Sequence, residues 1–214
     1  MDARPGWGSP LVKTTVYVEG GGDSSALHSR CREGFRKLLE KAGFLGKMPT
    51  VKSCGSRRAA YDGFCADLMG KGVEPSEFPV LLVDSEAPVE SLAWEHLRSR
   101  DGWVKPTGAQ DDHAHLMVQC METWILADHK AVKDFFGQGF REGSLPPLND
   151  LEQRSKGAVQ ESLVNASRDC GPRRKYEKGK RSFELLAQLD PGKLECLPHF
   201  SRLIAVLRKK LRPG

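Results

Sequence analysis

The 214-residue chain contains no Cys-x-x-Cys pair. Its six cysteines, Cys31, Cys54, Cys65, Cys120, Cys170 and Cys196, are scattered along the sequence. That distribution argues against a zinc ribbon or a disulfide framework and fits reduced thiols in a cytoplasmic protein. No stretch approaches the roughly 18–20 consecutive apolar residues of a membrane span, so no membrane contact is expected. The N-terminal MDARPGWGSP lacks the apolar centre of a secretory signal. With Pro5, Gly6, Gly8 and Pro10 it reads as a flexible tail over residues 1–12. Neither a Walker A sequence nor a dinucleotide-type Gly-x-Gly-x-x-Gly is present, and there is no internal repeat or low-complexity segment.

What is present describes a folded protein, with 39% hydrophobic and 29% charged residues. The formal charge of +5, with a pI of about 8.9, permits nucleic-acid binding without requiring it. The basic charge is uneven. Arg168, Arg173, Arg174, Lys175, Lys178, Lys180 and Arg181 stand against only Asp169 and Glu177. This run reads either as a solvated loop or as a guide for nucleic acid.

Two acidic signatures stand where hydrophobic strands run out. In TTVYVEGGGD, Val16 to Val18 lead into Glu19, Gly20, Gly21, Gly22 and Asp23; in FPVLLVDSE, Val80 to Val83 lead into Asp84, Ser85 and Glu86. Short apolar runs bounded by turn residues fit strands buried on both faces of a parallel sheet. Ligands bind at the carboxyl edge of such sheets, so Glu19, Asp84 and Glu86 form a candidate divalent-metal site. A carboxylate opening the glycine loop would repel a bare phosphate, which points to Glu19 as a metal ligand or proton-transfer group. Asp84 and Glu86, two residues apart at a strand end, can point the same way.

Around these motifs the pattern alternates between strand and helix. Leu27, Cys31, Leu38, Leu39 and Ala42 predict a first amphipathic helix, capped by Ser24 or Ser25 and ended by Gly43. Thr50 to Cys54 reads as a second strand, and Ala59 to Met69 as a second helix closed by Gly70 and Gly72. Phe78 to Val83 is the third strand. His115 to Val118 is expected to be a fourth, running into one helix from Met121 to Phe136. Glu122, just past that strand, is the better placed of two further acids to support a second ion; Asp128 is expected to cap or pair. His113 and His115, with Asp111 and Asp112, could face one side for zinc, but no third ligand stands at a recognisable spacing. Beyond Gly137 the strand signal disappears. Asp150 with Gln153 looks like a capping box before a helix carrying Leu151 to Leu163, and Phe183–Leu189 and Phe200–Leu211 are two more helical patterns.

In order and type, Glu19 and the Asp84-Ser85-Glu86 motif resemble the TOPRIM superfamily of topoisomerases, primases and OLD-type nucleases. That family has a glutamate after its first strand and an Asp-x-Asp after a later one; here the second acid is Glu. The longer string VEGGGD, VLLVDSE, HLMVQCMETWILAD and YEKGKRSFELL is also similar to bacterial TOPRIM-like proteins encoded near AAA-type ATPases in phage-defence contexts, relatives of abortive-infection proteins. The resemblance runs from about Thr14 to Leu189. It implies a TOPRIM-like α/β domain over residues 13–137, with a parallel sheet flanked by helices, and a helical C-terminal portion over 138–214 packed on it. It further implies a Mg²⁺- or Mn²⁺-dependent enzyme that cleaves phosphodiester bonds of DNA or RNA. Glu19, Asp84 and Glu86 would hold the metal, with Glu122 in support, and Arg173, Arg174, Lys175 and Lys178 would meet nucleic acid. The alternative is a non-catalytic subunit that binds an AAA-type ATPase.

Overall fold

The computed structural model describes residues 12–70, 77–171 and 174–211. The expected tail, Val12 apart, lies outside the described residues, as do Gly72 and Arg173. Four strands, β1 (Lys13–Gly21), β2 (Thr50–Gly55), β3 (Glu77–Asp84) and β4 (Ala114–Met117), form one sheet in the order β2-β1-β3-β4. All its pairings are parallel, as the continuous apolar runs predict. β1 and β3 sit in the middle with Val16 opposite Val80 and Val18 opposite Leu82. Their carboxyl ends, and therefore Glu19 and Asp84, emerge at the same edge.

The two-residue alternation of the strands divides the core. Val16, Val18, Val80, Leu82 and Met117 face one layer, which contains α1 (Ser25–Leu39), α4 (Met121–Leu126), α7 (Lys180–Leu186) and α9 (Pro198–Lys210). Tyr17, Leu81, Val83 and Leu116 face the other, with α2 (Arg57–Gly70) and α3 (Ala93–Asp101). Helices thus cover both faces, which removes the strand side chains from water. α1 buries Cys31, Phe35, Leu38 and Leu39, one stripe at helical spacing. Ser24 caps it by accepting from the Leu27 amide at 3.4 Å, and the chain leaves it through a wide turn in which Gly43 takes φ +93°.

The C-terminal helices share the first of these cores. Trp124 of α4 is wedged edge-on between Phe35 of α1, at 6.1 Å, and Phe200 of α9, at 5.0 Å. Arg30 pairs with Glu184 at 2.7 Å, and Lys41 donates to the carbonyls of Ala187 and Leu189 at 3.0 and 3.2 Å. Arg202 of α9 donates to the Ala114 carbonyl of β4 at 2.8 Å.

Two local expectations are corrected. The segment Met121–Phe136 is not one helix but α4 followed by α5 (His129–Phe136). Asp128 makes the break, its Oδ1 capping α5 at the Ala131 amide (3.0 Å) and its Oδ2 accepting from the Asp190 amide (2.9 Å). Every residue of α4 is buried, so the apolar stripe runs across the break without marking it. Asp150 is not a cap either. It lies in the left-handed region at φ +54°, whereas an N-cap backbone is extended. The helix α6 (Lys156–Ala166) starts later, with Ser155 accepting from the Ala158 amide at 3.3 Å. α8 (Pro191–Leu194) is a single turn capped by Asp190.

Candidate metal centre and its cavity

Glu19, Asp84 and Glu86 come together. Each offers a carboxylate oxygen, and the three oxygens all lie within 4.8 Å of one another. Glu19 reaches across from β1, its Oε2 accepting from the backbone N–H of Asp84 at 3.1 Å. Asp84, 5% exposed, ends β3, and its Oδ1 accepts from the Met121 amide that opens α4, at 2.9 Å. Glu86 lies beyond the strand. The Ser85 and Glu86 amides still donate to the carbonyls of Met117 and Gln119, each at 2.9 Å, and Glu86 takes φ +62°. A left-handed residue reverses the chain locally, so a turn rather than strand alternation returns its carboxylate to Asp84.

Two basic residues that the sequence reading did not single out complete the centre. Lys156, at the first position of α6, pairs with Asp84 Oδ2 at 3.2 Å and with Glu86 Oε1. Arg57, at the start of α2, lies with its Nε 3.6 Å from Glu19 Oε2. It is held by Asp101 at 2.9 Å and lies over the Trp103 ring at 5.2 Å. The net electrostatics differ from one acid to the next. Burial, reinforced by the charge of Glu19, pushes Asp84 up to about 8, against the pull of Lys156. Burial also raises Glu19, opposed by the Asp84 amide and by Arg57. Burial presses Glu86 upward too, but its bond to Lys156 and that charge bring it below the ordinary range. Lys156 is itself partly buried, yet Asp84 and Glu86 hold its ammonium above the usual lysine value.

The donor set fits a hard cation. It consists of carboxylate oxygens alone, the ligands that Mg²⁺ and Mn²⁺ prefer over softer metals. Neighbouring ligands of a six-coordinate Mg²⁺ stand ~3 Å apart and opposite ones ~4.2 Å, so the three oxygens would draw together around an ion. Lys156 holds the countercharge position and would have to yield it.

Glu122 stands apart. At 1% exposure it lies outside the three-acid cluster, and its Oε1 accepts from the Tyr176 hydroxyl at 2.8 Å and from Ser182 Oγ at 3.2 Å. Burial and the adjacent Glu122 charge raise the Tyr176 phenol. Ser182 Oγ also accepts from the Gly179 amide at 3.2 Å, which ties the Lys178-Gly179 turn to α4. A cavity of about 370 Å³ connects these groups to the acidic centre. Glu19, Asp84, Glu122 and Lys178 line it together with the glycine loop, Leu27, Met121 and Phe183.

The remaining candidates are placed as follows. Lys178 is exposed at the cavity, while Arg174 and Lys175 are exposed without lining it. The histidines are engaged structurally. His113 Nδ1 accepts from the Gln110 amide at 2.9 Å, and the ring packs 4.3 Å from that of Phe78. His115 Nε2 bonds the Asp112 carbonyl at 3.0 Å, and its Nδ1 meets Arg202 at 3.3 Å. Among the described residues no helix is long and apolar enough to cross a membrane.

No curated protein and no solved structure matches the chain. Residues 18–208, which carry all three acids, Lys156 and the cavity, match the profile of a domain of unknown function, DUF4276, and the chain belongs to that family.

Proposed function

We propose that the protein is a metal-dependent nuclease of TOPRIM type that cleaves phosphodiester bonds, acting as an effector of a bacterial defence system in the cytoplasm. One observation carries this reading: carboxylates from two adjacent parallel strands and from the turn that follows one of them meet within 4.8 Å beside a cavity. Glu19, Asp84 and Glu86 would hold Mg²⁺ or Mn²⁺. When bound, the ion supplies charge neutralisation at the phosphate and activation of water. Arg57 pairs with Glu19, and the Met121 amide fixes Asp84. Lys178 at the cavity offers its ammonium to a phosphate of DNA or RNA. The free thiols of all six cysteines agree with a reducing compartment.

Lys156 favours a second reading. Its ammonium already pairs with Asp84 and Glu86, so the frame carries a countercharge of its own without an ion. The chain would then be a non-catalytic subunit docking an AAA-type ATPase through its C-terminal helices. Incubation with a panel of DNA and tRNA substrates in Mg²⁺, Mn²⁺ or EDTA separates the two. The nuclease reading expects cleavage that requires metal and is lost in Asp84→Ala. Absence of cleavage, together with a stable complex with the ATPase, would overturn it.

A further inference from the structure

Glu122 is a buried carboxylate that the acidic centre does not account for. Only 1% exposed, it has no ion-pair partner among the described residues; hydroxyls alone support its Oε1. Keeping a carboxylate out of water without a countercharge is costly, and a carboxylate can only accept hydrogen bonds. Tyr176 and Ser182 fill Oε1 and fix the group's orientation, the Cys120 thiol lies beside the carboxylate, and Glu122 lines the cavity, so a donor entering it meets an acceptor with no cation of its own. The walls around it are apolar, formed by Met121, Phe183 and Leu27. Across from Leu27, Gly179 has φ +91°, and a Cβ there would stand 3.9 Å from both Leu27 methyls. The absence of a side chain at Gly179 leaves that space free.

A slot with apolar walls, an acceptor at its inner end and a lysine and a phosphodiester-type centre beside it has the chemistry that reads an unpaired nucleobase. About 370 Å³ lies at the small end of ligand cavities and suits one nucleotide rather than a duplex. We propose that this cavity receives a single extruded nucleotide, and that Glu122 accepts a hydrogen bond from the exocyclic amino group of its base. Glu122 is on this view a specificity residue, not a ligand of a second ion. The inference rests on the reading of the acidic centre as a phosphodiester site and adds the substrate class: single-stranded nucleic acid, with cytosine preferred over uracil or thymine at the seated position.

Cytidine and uridine 5′-monophosphates differ at this position by an amino group against a carbonyl, which makes them the natural probes. Calorimetric titration of the full chain, with and without Mg²⁺, is expected to show CMP binding about tenfold or more tighter than UMP, the usual worth of one good base contact. In Glu122→Gln the amide oxygen keeps the two hydroxyls and an NH₂ replaces the free acceptor, so the preference should vanish or invert towards UMP. Leu27→Trp, which fills the mouth without touching Glu122, should abolish binding of both. Equal affinity for CMP and UMP would overturn the inference, as would an unchanged CMP preference in Glu122→Gln. No nucleotide binding by a protein that still binds Mg²⁺ would overturn it while leaving the metal centre standing. CMP selectivity without any Mg²⁺ binding would support the nucleotide slot and remove the metal reading instead.

Discussion

Replacing Asp84 by Asn should make the metal-free protein more stable while destroying its response to metal. In the folded chain Asp84 is almost fully buried beside Glu19, and its carboxyl is pushed from an ordinary 3.8 up to about 8. A raised acid favours folding fully only below its unfolded value, and that contribution is lost as pH rises from about 4 to about 8. Each pH unit between the two values amounts to about 1.4 kcal/mol. At pH 7 the native state therefore carries a handicap of about 4 kcal/mol, roughly three units' worth. Asn keeps the bond from the Met121 amide but forfeits the Lys156 pairing, a loss of about 2 kcal/mol for a bond to a charged group. The net gain is about 2 kcal/mol, which in a chain of this length raises Tm by about 4–8 °C. Thermal melts of wild type and Asp84→Asn in EDTA, from pH 5 to pH 8.5, test this directly. The gap should widen with pH and flatten near pH 8. Addition of Mg²⁺ or Mn²⁺ should raise Tm for the wild type only. A variant less stable than wild type in EDTA throughout this range would show that Asp84 is a structural group and not a strained ligand.

Other outcomes follow from the same geometry. His115 is held neutral, its pKa lowered to about 3 by burial and by Arg202, so stability should fall as pH drops below about 6.5. Urea titrations should show the wild type losing about 2 kcal/mol more than His115→Gln between pH 7 and pH 5, and equal losses would contradict this. Gly55 has φ +78°, and a Cβ there would stand 2.7 Å from the Gly22 carbonyl oxygen. Gly55→Ala should therefore cost at least about 1–2 kcal/mol in urea unfolding, from the left-handed backbone alone. A neutral result would mean that the glycine loop yields freely. Arg174 and Lys175 are exposed and belong neither to the acidic cluster nor to the cavity lining, so changing both to Ala should reduce the slope of log K against log salt by about 1.5 on single strands. An unchanged slope would move the basic segment to a protein partner.

Much of the sheet was legible because its strands are buried on both faces. Val16–Val18 and Val80–Val83 read as uninterrupted apolar runs, and their ends delivered Glu19 and Asp84 without any knowledge of the packing. Glu86 was found for an incomplete reason, since a left-handed turn rather than strand alternation brings it home. The partners of these acids were not legible. Lys156 follows Asp84 by 72 positions and opens a helix with no unusual composition, and only the docking of α6 makes it the countercharge. Glu122 was singled out as support for a second ion, but the hydroxyls that claim it, Tyr176 and Ser182, lie 54 and 60 residues away. The break at Asp128 escaped notice because a helix buried on all sides gives no periodic signal at its end.

The distribution of these partners has a consequence in time as well as in space. A ribosome releases Glu19, Asp84 and Glu86 well before Lys156, Tyr176 and α7, the elements that balance and roof the site. Until α6 and α7 arrive, α1 lacks the helix whose Glu184 binds Arg30, and the carboxylates face water without their ammonium. Contacts this distant in sequence close late, because the intervening loop must first be ordered. The nascent protein is thus expected to pass through a period in which its acidic edge is complete and unguarded. Its chemistry becomes shaped only when α6 and α7 lock down, so residues made later decide when the earlier ones become a site.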